Sequence, residues 1–144
     1  MRELKIGEHI WTVENLDVTA YRNGDLIPNI EDAEEWKNLK TGAWCYFENN
    51  AENNVKYGKL YNYHAIQDSR GLAPEGYHIP TESEWTTLTS GRAYAELKSN
   101  TTDWGATFAN SNNNLVITGR INTYIGNNST GFNALPGGNI ADNG

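Results

Sequence analysis

Alternating apolar and polar residues in the first part of the chain predict short β-strands. Apolar positions over 4–13 flank Gly7, which is typical of a β-hairpin. The alternation continues over 15–21 and predicts another strand, and Asn23-Gly24 predicts a turn after it. Further strand-like runs lie at 43–47, 115–117 and 131–135.

Apolar residues at helical spacing predict short helices. A helix that Asp32 caps is expected to end before Thr41-Gly42. The segment Thr81-Glu82-Ser83-Glu84 is a capping box, and it predicts a helix from about Glu82 to Ser90 with Trp85 and Leu88 facing the core. Two other helices are predicted at 57–67 and 93–98, loops at 48–54 and 100–114, and a turn at 74–76.

The composition predicts one compact domain with a core of few but bulky side chains. The 144 residues are a single domain's worth of chain, so we predict one domain over 1–144. They include 5 Trp, 8 Tyr and 3 Phe, and large rings bury much surface each. The net charge of −7 disfavours nucleic acid as a partner. No apolar run approaches the length of a membrane span.

The residues that carry chemistry are sparse, and we predict neither a catalytic site, a cofactor nor a metal centre. The histidines His9, His64 and His78 are far apart and lack a metal-ligand spacing. Cys45 lies in an aromatic strand and is interpreted as a buried, inert thiol rather than half of a thiol–imidazole pair. The acidic residues cluster where first helical turns are predicted, where they complement the helix dipole.

An Asn-rich segment around Tyr124 is the candidate binding site. The chain contains 20 Asn, and amide side chains offer both hydrogen-bond donors and acceptors. Polar groups around an aromatic anchor are typical of a recognition surface, and a merely solvated loop is the competing interpretation. Calcium ligation by the Asn run is a weaker possibility, because no EF-hand spacing is present. The candidate ligand-binding residues are Asn112, Asn113, Asn114, Asn122, Tyr124, Asn127 and Asn128.

Several motifs in one order resemble the Fibrobacter succinogenes major paralogous domain. The opening segment 6–16 (IGEHIWTVENL) is similar to the start of that family. The later matching segments, in order, are 57–62 (YGKLYN), 72–81 (LAPEGYHIPT), Glu84-Trp85, 97–99 (LKS) and 131–138 (GFNALPGG).

The resemblance implies an α+β, C-type-lectin-like fold, with short helices packed on small antiparallel sheets. This fold is akin to that of the formylglycine-generating enzymes, with which the chain shares Pro80-Thr81-Glu82-Ser83-Glu84-Trp85 as a structural motif. Nothing in the chain matches the catalytic cysteines of those enzymes. The family is typical of surface and secreted proteins of Bacteroidetes-type bacteria and of their phages, so the expected location is extracellular, on a cell surface or on a virion.

The resemblance also implies that the fold's last strands are missing after Gly144. Family members continue into further strands, the last of which bears a cysteine that would be the partner of Cys45. The N-terminal strand would then have an open edge, which is a liability unless another chain covers it. Expected partners are therefore a surface glycan or protein ligand, and a homo-oligomer or virion chains at the open edge.

Three functions follow as hypotheses. The first is a non-catalytic binding or display module that recognises carbohydrate or protein through its Asn/Tyr-rich loops. The second is a structural virion component, such as a fibre, decoration or tail protein. The third and least favoured is an enzyme of the formylglycine-generating type.

Overall fold

The computed structural model describes residues 2–90, 94–97, 108–109, 115–116, 128–132 and 134–135. Within them lie short helices and three two-stranded antiparallel sheets, which confirms the predicted small α+β fold. The strands are β1 (Glu3–Ile6), β2 (His9–Thr12), β3 (Trp44–Tyr46), β4 (Lys59–Tyr61), β5 (Phe108–Ala109) and β6 (Leu115–Val116). The α-helices are α1 (Ala33–Asn38), α2 (Asn54–Tyr57), α3 (Tyr63–Ile66), α4 (Glu82–Thr89) and α5 (Tyr94–Leu97), and two short 3₁₀ helices, Phe47–Asn49 and Ala51–Asn53, lie where a loop was expected.

The chain divides into two compact units, and the first comprises residues 1–14 and 83–136. It begins with the predicted hairpin, in which Leu4 of β1 pairs with Trp11 of β2. Gly7 makes the connection with a φ of 64°, a left-handed conformation that glycine adopts at no steric cost. The apolar core of this unit is formed by Ile6, Trp11, Leu88 and Leu97, with Leu4 and Phe132 packed against it.

The second unit comprises residues 15–82 and 137–144. Its core consists of Tyr21, Ile27, Trp44 and Leu72. The buried indole N–H of Trp44 donates to the Ile27 carbonyl at 2.8 Å, so the ring's polar atom is satisfied inside the core. The aromatic strand predicted at 43–47 is confirmed as β3, which pairs with β4.

Two local predictions in the second unit are confirmed by the hydrogen bonds at turn and cap residues. The Asp32 carboxylate accepts from the Glu35 amide at 2.8 Å and caps α1, with Glu34 and Glu35 in its first turn. The Asn23-Gly24 turn is closed by the Tyr21 amide, which donates to the Asp25 carbonyl at 2.9 Å. Both features depend on groups within four residues of one another.

The helix predicted over 57–67 is wrong. Gly58 interrupts it with a φ of 65°, and a Cβ there would lie 2.7 Å from the Leu16 carbonyl oxygen. The next three residues form β4, and α3 begins only after Asn62, whose side chain accepts from the Ala65 amide at 2.9 Å. Pairing with β3, 15 residues earlier in the chain, therefore overrides the local apolar spacing.

The strand predicted over 15–21 is also absent. One isolated bridge from Ala20 to Leu26 is its sole ladder contact in the described residues. Both backbone groups of Val18 bond instead to the Tyr61 hydroxyl, which accepts from the amide and donates to the carbonyl, each at 2.7 Å. A side chain thus replaces a neighbouring strand.

Two predictions near the end of the chain need correction as well. Residues 100–114 were expected to be a loop, yet Phe108–Ala109 pairs with Leu115–Val116. The strand expected at 131–135 is reduced to a single bridge residue, Ala134, in the described part of that segment. Its Gly131 belongs to a turn, which the Gly131 amide closes by donating to the Asn128 carbonyl at 2.9 Å.

Candidate functional site

Of the predicted ligand-binding residues, the structure places Asn128 alone. It is half-buried and has a φ of 49°, at the start of the turn that ends with Gly131. The other predicted residues lie outside the described part of the chain; they are Asn112, Asn113, Asn114, Asn122, Tyr124 and Asn127.

Trp85 is an exposed aromatic residue of the first unit. Its side chain is 46% exposed, whereas Leu88 on the next turn of α4 is 2% exposed. The prediction that both residues face the core is therefore confirmed for Leu88 and wrong for Trp85. Leu88, the smaller of the two side chains, is the one that belongs to the buried core of this unit.

The aromatic rings of Trp11 and Phe132 pack against the Trp85 indole. The ring centroids of Trp85 and Trp11 are 5.6 Å apart, and those of Trp85 and Phe132 are 6.3 Å apart. Trp11 and Phe132 also meet edge to face at 5.8 Å. Such pairs contribute about 0.5–1.5 kcal/mol each beyond the area they bury. The three rings, here called the aromatic patch, fix the orientation of an indole that is half open to solvent.

A turn that is hydrogen-bonded to α5 positions Phe132 in the aromatic patch. The Thr130 amide and hydroxyl both donate to the Glu96 carbonyl, at 3.2 and 2.8 Å. The Ala134 amide then donates to the Leu97 carbonyl at 2.9 Å. Because the turn starts at Asn128, the placed residue of the predicted site and the aromatic patch share one short segment.

The aromatic patch is suited to binding a ligand. An indole held rigid presents a flat apolar face at little cost in side-chain entropy, as aromatic anchors of recognition surfaces do. Asn128 lies on the segment that carries Phe132. The sequence missed this site because it assigned Trp85 to the core. The signal that was available is that Trp85 and Leu88 are the sole apolar residues of α4, too few for a broad buried face.

Cys45 is a buried thiol, as the sequence predicts. It is free and 1% exposed, at the centre of β3. Burial raises the pKa of this thiol to about 11, and the negative charge of Glu31 adds to the shift. The protonated form therefore predominates at neutral pH, and such a thiol is a poor nucleophile.

The carboxylates of Asp25 and Asp68 are engaged by one arginine. Arg70 contacts Asp25 at 2.9 Å and Asp68 at 2.8 Å, and its guanidinium stacks 4.0 Å from the Tyr21 ring centroid. Hydrogen bonds from Arg70 hold the pKa of both carboxyls below their ordinary values. This cluster fastens the turn after Tyr21 to the end of the segment that follows α3.

The Arg70 cluster predicts a specific acid sensitivity. Because the pKa values of Asp25 and Asp68 are lower in the folded than in the unfolded state, the stabilisation is present above pH 4 or so and is lost as the pH falls through the folded values. We expect Arg70→Gln to flatten the slope of unfolding free energy against pH below about pH 4, measured by urea denaturation. An unchanged slope would contradict this assignment.

In the described residues, no group of three His, Cys, Asp or Glu side chains is arranged to hold a metal ion. None of the helices in that same part of the chain is long and apolar enough to cross a membrane.

These features define a small α+β fold with the aromatic patch on its first unit. The chain belongs to the Fibrobacter succinogenes major domain family, whose model matches residues 4–144. This confirms the resemblance drawn from the motifs. No curated protein and no solved structure matches the chain significantly, and the C-type-lectin-like topology stays a prediction.

Proposed function

We propose that the chain is a non-catalytic binding module exposed on an extracellular, cell or virion surface, and that it binds carbohydrate on Trp85. The observation that supports this proposal is the half-exposed indole of Trp85, held by Trp11 and Phe132. A sugar ring has an apolar face that stacks on an indole, and its hydroxyl groups bond to amide side chains, in which this chain is rich.

The size of the aromatic patch favours a sugar over a protein ligand. A stable protein interface buries about 800 Å² on each partner, which needs some 20–30 residues on each side. One half-exposed indole supported by two rings matches the few well-placed contacts of a small-ligand site. The net charge of −7 additionally favours neutral glycans over anionic ones.

Binding to neutral oligosaccharides on an array, followed by calorimetry on the best ligand, tests the proposal. We expect Trp85→Ala to weaken binding about tenfold or more, which is a loss of about 1.4 kcal/mol, and Trp85→Phe to retain part of the affinity. The matched control is Tyr63→Ala, because Tyr63 is another exposed aromatic residue, 70% accessible, in the second unit.

Two outcomes would contradict the proposal. One is the absence of binding to any neutral glycan by the wild-type chain. The other is an equal loss of affinity in Trp85→Ala and Tyr63→Ala, since Tyr63 has no part in the aromatic patch.

A further inference from the structure

Lys59 is a lysine whose side chain is almost wholly buried. It lies on β4 and is 5% exposed, which is rare for a residue type that usually extends into solvent. Its ammonium nitrogen lies 4.8 Å from the Trp44 ring centroid and 5.6 Å from that of Tyr46. The two rings cover the amine on the side of β3.

Two polar side chains complete the surroundings of this amine. Lys59 forms an ion pair with Asp17, and its amine also donates to the side-chain carbonyl oxygen of Asn54 at 3.2 Å. The Asn54 amide nitrogen in turn donates to the other carboxylate oxygen of Asp17 at 3.1 Å. An amine, a carboxamide and a carboxylate thus form a closed triangle in which each contacts the other two.

We propose that Lys59 and Asn54 condense to an intramolecular isopeptide bond, with Asp17 as the proton carrier. The Lys59 ammonium gives a proton to Asp17, and the neutral amine attacks the side-chain carbonyl carbon of Asn54. Asp17 passes the proton to the Asn54 amide nitrogen, and the carbon–nitrogen bond breaks with loss of ammonia. The ammonia takes up the amine's remaining surplus proton and leaves as ammonium, so atoms and charge balance without an oxidant or a cofactor.

The contacts assign the three roles. A positioned nucleophile beside a base is the arrangement that nucleophilic attack by an amine requires. Asp17 touches both the amine that must lose a proton and the nitrogen that must leave. Preorganised neighbours of this kind reach very high effective concentrations, about 10⁵ M or more, which can make amide exchange practicable.

The Lys59 amine and the Asp17 carboxylate differ in their solvent accessibility, and this difference suits the reaction. Trp44 and Tyr46 lie over the amine, which limits competing hydrolysis at that side. Asp17 is 48% exposed, so the leaving ammonia reaches solvent from its side. The product would join the first residue of α2 to the first residue of β4 across the Gly58 turn.

Intact mass spectrometry of the purified full chain is the direct test. We expect a mass about 17 Da below that of the encoded sequence, equal to one ammonia. Trypsin cleaves after Lys40, Lys56 and Arg70, so the bond would hold fragments 41–56 and 57–70 together, with no cleavage at Lys59.

Variants separate this bond from other modifications. Lys59→Arg keeps the positive charge and Asn54→Ala removes the acceptor, and we expect both to have the full encoded mass, as should Asp17→Ala. The matched control is Lys56→Arg, which changes an exposed lysine three residues away, keeps the tryptic site and should retain the loss.

The wild-type result alone can overturn the proposal, so the test does not depend on whether a variant folds. A full encoded mass in the wild-type chain would show that no bond forms. A loss that persists in Lys59→Arg would identify a cyclised asparagine instead, and a loss of about 18 Da that persists in Asn54→Ala would identify a bond from Lys59 to Asp17. The outcome is independent of carbohydrate binding by Trp85.

Discussion

Gly42→Ala is expected to destabilise the second unit by about 3 kcal/mol or more, because the position is overpacked for any side chain. A Cβ at Gly42 would lie 1.8 Å from the Tyr21 hydroxyl oxygen and 2.9 Å from the Ala65 Cα. The first atom belongs to a core ring and the second to the backbone of α3, so neither yields easily. Urea denaturation followed by tryptophan fluorescence measures the loss.

A double-mutant cycle with Tyr21→Phe isolates the cause. The Tyr21 hydroxyl is buried and makes no hydrogen bond of normal geometry in the described residues, and burial, followed by the charge of Asp68, raises the pKa of this group. Its removal alone should therefore cost about 1 kcal/mol or less. Gly42→Ala in the Tyr21→Phe background should cost less than in the wild type, and strictly additive costs would contradict the steric explanation.

Leu88→Ala is the second large effect, with an expected cost of about 2–5 kcal/mol from lost burial and the cavity left behind. Leu88 is the most deeply buried residue of α4 and packs in the same cluster as Ile6 and Trp11 of the hairpin. Chemical denaturation of the variant gives the change in unfolding free energy.

Thr87→Ala is the matched control for this change, because Thr87 is exposed on the same helix and its hydroxyl donates to the Ser83 carbonyl of that helix. We expect the control to change stability by about 0.5 kcal/mol or less. If Leu88→Ala matched this small effect, α4 would not pack on the hairpin as described.

The parts of the fold that the sequence predicts correctly depend on interactions within a few residues. The Gly7 hairpin, the Asn23-Gly24 turn and the Asp32 cap are each defined by one local hydrogen bond or one left-handed residue. Helix α4 was predicted at Glu82 to Ser90 and lies at Glu82–Thr89, since a start signal precedes it directly in the chain.

The parts that the sequence predicts wrongly depend on distant partners. Residues 57–67 have an apolar spacing that fits a helix, yet β4 forms there because β3 offers a ladder. Likewise, the strand expected over 15–21 is replaced by bonds from Val18 to the hydroxyl of Tyr61, 43 residues later. Short apolar runs do not distinguish helix from strand without that information.

The candidate site shows the same division. The family and its motifs were evident from the sequence, and the match over 4–144 confirms them. The exposure of Trp85 was not evident from the sequence, because it depends on how far Trp11 and Phe132 cover the indole. The triangle around Lys59 likewise joins residues 17, 54 and 59, whose proximity no local pattern encodes.

The indole N–H resonances of the five tryptophans, followed by NMR during titration with a neutral oligosaccharide, test the carbohydrate-binding proposal most directly. We expect the Trp85 signal to shift most and the signal of Trp11, which contacts Trp85, to shift with it. The Trp44 signal should not shift, because its indole N–H donates to the Ile27 carbonyl in the other unit. A saturable titration that shifts the Trp44 signal and leaves the Trp85 signal unchanged would contradict carbohydrate binding on Trp85.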